Sequence, residues 1–98
     1  MKFLAIEKEV AGVKPQDFNN KLKQEESLKV WELYQTGIIR ELYFRSDLNT
    51  AVMVLECQDA QQAKKFLDTL PLIRENLITF EVIPLIPYPG FGRLFSER

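Results

Sequence analysis

The sequence predicts an α+β domain made of two successive strand–helix–strand units, and three observations carry that reading. Four short runs are apolar and rich in β-formers: Phe3-Leu4-Ala5-Ile6, Ile38 to Arg45, Thr50 to Cys57, and Leu77 to Ile86. Two intervening segments place apolar residues at the helical period. Turn-forming residues stand at the joins, at Gly37, at Ser46-Asp47-Leu48-Asn49 and at Pro71.

The first strand is predicted over Lys2 to Val10, and Ala11 to Lys14 is a loop. Pro15 suits the first helical position, where its missing N–H costs nothing, and Asp17 favours the positive end of the helix dipole. The helix is expected to run to about Thr36, with Gly37 as a left-handed terminator. Asp59 followed by Gln62 has the form of a capping box for a second helix. Ala60, Ala63, Phe66, Leu67 and Leu70 form its apolar stripe, and Pro71 is expected to stop it. The tail from Pro87 to Phe95 is apolar without a helical or strand period. The order β-α-β-β-α-β is the ferredoxin-like arrangement, with both helices on one face of a four-stranded antiparallel sheet. The whole chain, 1–98, reads as one such domain with an apolar C-terminal tail over 87–98.

Composition narrows the functional classes. The net charge is −1 and no basic block is present, which argues against a nucleic-acid or membrane-surface footprint. No apolar run approaches a membrane span, and Met1-Lys2 leads into a strand-like run without the form of a signal peptide. The expected compartment is therefore the cytoplasm. Cys57 is the only cysteine, so no intramolecular disulfide forms, and it reads as a small buried residue. There is no histidine. That removes Ser/His and Cys/His nucleophile systems and His-based metal sites. Neither a phosphate-binding glycine loop nor a metal-ligand spacing is present, so no cofactor and no metal are expected.

Glu26 breaks the pattern of the first helix. With Leu22 as zero and 100° per residue, Leu33 falls at about 20°, Glu26 at about 40° and Val30 at about 80°. A carboxylate central to the buried stripe must be paired, neutral, or facing a cavity. Lys23 is three residues back and can reach it on the same surface. The plain reading is a helix-edge ion pair; the functional one is a cavity-facing acid–base group. On the second strand, Arg40 shares a face with Ile38, Leu42 and Phe44, while Glu41, Tyr43 and Arg45 share the other with Ile39. Arg40 could hold a carboxylate ligand bidentately, and Tyr43 joins it as a candidate substrate-binding residue. Glu7, Glu56 and Glu81 interrupt the other strands, where salt bridges between strands are the common outcome.

One chain is not expected to be the whole protein. Two helices cover one sheet face, and the other should read polar. Instead Val52-Met53-Val54-Leu55 and Val82 to Ile86 are apolar on both faces. A second copy packing sheet to sheet is the simplest cover, and Phe91, Leu94 and Phe95 of the tail need a docking surface as well. Leu28 and Trp31 lie on the back of the first helix and point to further helix-side contacts.

The chain resembles the muconolactone isomerase family, small proteins of the dimeric α+β barrel class. The resemblance runs through Lys23-Gln24-Glu25-Glu26 and Leu33, Gly37 with Arg40 and Leu42, Leu70-Pro71-Leu72, Phe80-Glu81-Val82, and a Pro-containing tail from Pro87. It implies two four-stranded sheets joined face to face in a homo-oligomer of at least two chains, often a larger ring. It also implies a proton shift within a lactone, without metal or cofactor. Lys23 and Glu26 match the family's basic and acidic positions on the first helix, and Arg40 matches an arginine that would position an anionic substrate. Two departures bear on the substrate. Family histidines on the second strand and tail are missing, and Arg74-Glu75-Asn76 looks like a small insertion. The alternative is a non-catalytic ligand-binding or assembly protein that keeps the fold without the reaction.

Overall fold

The computed structural model describes residues 1–95. Four strands form one antiparallel sheet: β1 (Lys2–Glu9), β2 (Ile39–Phe44), β3 (Ala51–Glu56) and β4 (Ile78–Leu85), in the order β2-β3-β1-β4. Helices α1 (Asn20–Gln35), α2 (Ala60–Leu67) and the short α3 (Pro71–Arg74) complete the fold. The ferredoxin-like expectation is met. Among the described residues no helix is long and apolar enough to cross a membrane.

Residue parity places the core. Phe3 and Ala5 of β1, Met53 and Leu55 of β3 and Ile78 of β4 are buried on one sheet face, where Leu33, Ala63, Leu67 and Leu70 from the helical layer join them. Phe3, Ile39, Met53, Leu55 and Leu70 are the largest fully buried side chains, each worth about 1.5–3 kcal/mol of burial. The opposite face carries Leu4, Ile6, Val52, Val54 and Ile83, all half-buried with nothing above them. Ion pairs edge that face: Lys2 with Glu56 at 3.0 Å and Lys8 with Glu81 at 3.4 Å. Glu56 also binds the N-terminal ammonium, and these two cations hold its carboxyl down to about 2. For Glu56 and Glu81 the plain strand-pairing reading is the right one.

Four expectations about elements need correction. The first helix does not begin at Pro15. Residues Pro15–Asp17 form a separate 3-10 turn, and Asn19 then caps α1 by accepting the Leu22 N–H at 2.8 Å. The second helix stops at Leu67 and not Leu70; Pro71 opens α3 from its first position, the place where a proline is tolerated. The expected capping box is half formed. Asp59 accepts the Gln62 N–H at 2.8 Å, but the Gln62 side chain accepts from Gln58. The tail forms a 3-10 helix over Pro89–Leu94, where Gly90 lies so close to the Tyr88 ring that a Cβ there would overlap it. Arg74-Glu75-Asn76, read as an insertion, ends α3, with Asn76 left-handed at φ 59°.

A β-bulge changes the reading of β2. Ile39 opposes Leu55, but Glu41 opposes Val54, so Arg40 is an extra residue in the ladder. Parity inverts there. Ile39 therefore shares the helix-side face with Leu42 and Phe44, while Glu41 and Tyr43 share the open one. The strict alternation read from the sequence put Ile39 on the wrong side.

Candidate functional site

A cavity of about 680 Å³ lies between α1 and the helix-side face of the sheet. Its apolar wall comes from Val30 of α1, Leu42 and Phe44 of β2, Met53 of β3, Ile78 and Phe80 of β4, and Leu70 and Leu72 around the start of α3. Its polar residues are Glu7, Glu26, Ser27, Tyr34 and Arg40, while Glu41 and Tyr43 border it along β2 from positions on the open sheet face. One chain builds this space by itself, on the face opposite the one expected to meet a second copy. Leu42 and Phe44 stay exposed because no helix covers them; they are the wall of the opening.

Glu26 reaches the cavity because the stripe of α1 faces the sheet there. Its Oε1 accepts the Leu72 N–H at 3.0 Å. That N–H belongs to the first turn of α3, which has no capping side chain at Leu70, so Glu26 caps it from another helix. No ion pair to Lys23 is present among the described residues. Burial raises the Glu26 carboxyl above its ordinary value; the Leu72 N–H opposes this, the negative charge of Glu7 adds to it, and Arg74 opposes it weakly. Glu26 therefore holds its proton to higher pH than an exposed glutamate.

Arg40 stands at the bulge, and its Nε donates to the Gly37 carbonyl at 2.6 Å. Gly37 ends α1 in the left-handed region at φ 83°, which turns that carbonyl toward β2. Among the described residues no carboxylate pairs with Arg40. Tyr43 borders the cavity from the exposed edge strand, and its hydroxyl donates to Glu41 Oε1 at 2.9 Å. That bond and the Glu41 charge raise the Tyr43 phenol.

Of the four residues singled out from the sequence, the cavity brings together Glu26 and Arg40, and Tyr43 borders it from the open-face side of β2. Lys23 is on the exposed side of α1 and does not line it. Trp31, expected on the back of the helix, is at the cavity mouth with Tyr34, their rings 6.3 Å apart. Glu7 was passed over as one more charge in a strand. A signal for it existed: it falls two residues after Ala5 and four after Phe3, on the core parity of β1. Its Oε1 accepts the Ala51 N–H at 2.9 Å. Among the described residues, no three His, Cys, Asp or Glu side chains converge as a metal site.

Fold and site together define a small α+β protein with an apolar cavity between helices and sheet, furnished with carboxylates and a guanidinium. The family model for muconolactone delta-isomerase matches residues 1–90, and the chain belongs to that family. Among solved structures it is similar to muconolactone isomerase, at 20% identity over 92% of this chain and 93% of that one, with a TM-score of 0.71. It is also similar to 5-chloro-2-hydroxyhydroquinone dehydrochlorinase from Burkholderia phenoliruptrix, solved with 2,5-dihydroxybenzoquinone. There the identity is 13%, over 92% of this chain and 98% of that one, with a TM-score of 0.62. At these identities the structural likeness establishes the fold. No curated protein sequence matches the chain significantly.

Proposed function

We propose that the chain is a cofactor-independent isomerase that shifts a proton within a small lactone or carboxylate substrate. The observation that carries this reading is the placing of Glu26 and Arg40 on one apolar cavity, where among the described residues the acid has no ion-paired cation and the guanidinium no ion-paired carboxylate. In the reaction, the substrate carboxylate lies on the Arg40 guanidinium. Its Nε is already spent on Gly37, which leaves the terminal N–H groups for the ligand. The apolar body of the substrate packs against Val30, Met53 and Phe80. Glu26 as carboxylate takes a proton from carbon next to the carbonyl; the electron pair of that C–H bond moves toward the carbonyl oxygen. The same carboxyl returns the proton at a second carbon, and the double bond ends one position along. A base whose proton affinity is raised by burial suits this work near neutral pH. Tyr43 at the rim contacts the substrate, and Lys23 has no part in the transfer. The family membership supports the reaction class.

Assembly follows from the same reading. The half-buried apolar face around Leu4, Ile6, Val52 and Val54 packs on a second copy, and the exposed tail residues Phe91, Leu94 and Phe95 dock in the same homo-oligomer. The protein works in the cytoplasm.

The test is turnover of muconolactone by the wild type and by Glu26→Gln. The expected result is turnover that falls roughly 10²- to 10⁴-fold in the variant. Trp31, the single tryptophan, is at the cavity mouth and reports binding through its fluorescence. Saturable quenching without turnover would establish a binding protein that lacks the reaction. Turnover unchanged in Glu26→Gln would remove Glu26 from the mechanism.

A further inference from the structure

The proposed function puts an anion on Arg40 and a reacting carbon at Glu26, and the fold fixes how far apart these two groups stand. The Arg40 Nε is held on the Gly37 carbonyl at 2.6 Å, and its guanidinium lies beside Gly37. From Glu26 to Gly37 the chain of α1 rises about 16 Å, at about 1.5 Å per residue. Helical side chains lean toward the N-terminus, so the Glu26 carboxyl is tilted away from Gly37. The sheet gives the same order. Glu26 Oε1 accepts the Leu72 N–H, and the Leu72 carbonyl accepts the Leu77 N–H next to Ile78, which opposes Glu9 at the end of β1. Arg40 instead stands between Ile39 and Glu41, whose partners Leu55 and Val54 pair with Phe3 and Leu4 near the start of β1. Acid and cation are therefore at opposite ends of the cavity. Between them Glu26, Val30 and Tyr34 follow one line of α1 at four-residue spacing, and Leu42 and Met53 line the same space from the sheet. Glu26 is half-buried at the inner end, while Tyr34 and Arg40 are exposed at the mouth. Muconolactone carries its acid group a single carbon from the ring, too close to lie on Arg40 while the ring meets Glu26. With about ten non-hydrogen atoms, each given the ~30 Å³ that a water takes in the liquid, it would fill less than half of the 680 Å³ cavity.

We propose that the substrate is an elongated monocarboxylate: a lactone or similar carbonyl ring that meets Glu26 at the inner end, an apolar body along Val30, and a carboxylate about 10 Å away on Arg40 at the mouth. Arg40 thereby selects substrates by length as well as by charge. This rests on the reading of the cavity as the site of proton transfer, but the two-ended fit is measurable by binding alone.

The experiment measures binding through Trp31 fluorescence, with a series of lactones whose carboxyalkyl chain lengthens stepwise from that of muconolactone. Affinity should rise roughly 10- to 100-fold once the chain spans about 10 Å, the gain from charge-assisted hydrogen bonds to Arg40. The methyl ester of the best-fitting lactone should lose that gain in the wild type, and Arg40→Gln should flatten the whole series. Affinity that stays flat or falls with chain length in the wild type would overturn the proposal, whatever muconolactone turnover shows. So would a gain that the methyl ester keeps, because apolar packing alone would then account for it. Length-dependent binding without turnover of any lactone in the series would leave the two-ended site standing and defeat the isomerase reading alone.

Discussion

Glu26 costs the folded state something, and its sign can be worked out. The carboxyl is raised above its ordinary value of 4.5, chiefly by burial. A raised carboxyl binds its proton more tightly in the folded chain than in the unfolded one. Its contribution to stability is fully present below the unfolded value and is lost as pH rises through the folded one. Glu26→Gln removes that loss, and the amide oxygen can still accept the Leu72 N–H. The variant should therefore be more stable than the wild type at pH 7 and equal to it below about pH 4, as urea unfolding at the two pH values would measure. Solvent reaches the group, so the gain is small, under about 1 kcal/mol. A variant more stable at neutral pH and less active is the behaviour of a functional carboxylate. At the same scale, the sequence placed Glu26 on the buried stripe correctly. It could not foretell the partner, because the Leu72 N–H comes from 46 residues away and becomes available only where α3 starts uncapped.

Among the elements, the end of α1 does the most to place the site. Gly37 N–H bonds to Tyr34 O and Ile38 N–H to Leu33 O, the paired bonds that close a helix through a left-handed residue. The Gly37 carbonyl then receives Arg40. Gly37→Ala should cost about 1–2 kcal/mol in thermal or urea unfolding, since its φ of 83° is strained for a side chain. Gly37 was legible as a terminator from its position after the last periodic residue. The bulge at Arg40 was not. Bulges depend on how two strands close their ladder, and the apolar pattern of β2 reads equally well without one. The break between Pro15–Asp17 and α1 was missed because Asn19 lies inside an otherwise acceptable helical pattern; its capping bond decided the start.

The whole molecule is longer than a packed body of its size. Its radius of gyration is 16.3 Å, against about 13 Å for a compact domain of 100 residues. The long axis is 61 Å. The tail accounts for the excess. Ile86, Tyr88, Phe91, Leu94 and Phe95 are each at least 65% exposed. Tail and open sheet face together leave more apolar surface than a soluble monomer commonly shows. Light scattering at micromolar concentration should give a dimer or larger particle, and Val54→Lys, at the centre of the open face, should shift it toward monomer. A wild type that stays monomeric would remove the assembly reading.

By itself the sequence determined the βαββαβ order, the apolar character of both faces of β3, the exclusion of histidine chemistry, and Glu26 as the misplaced charge. These are local properties: period, turn chemistry and composition act over a few residues. Only the tertiary structure decided where the cavity lies, that residues of one chain line it, and that Lys23 stays outside while Glu7 enters. Those depend on contacts between distant segments. Glu7 reaches Ala51 across 44 residues, and the inverted parity of β2 follows from its pairing with β3. The sequence could mark a carboxylate as out of place, but the packing of α1 against the sheet and α3 supplied its surroundings, and with them its proton affinity.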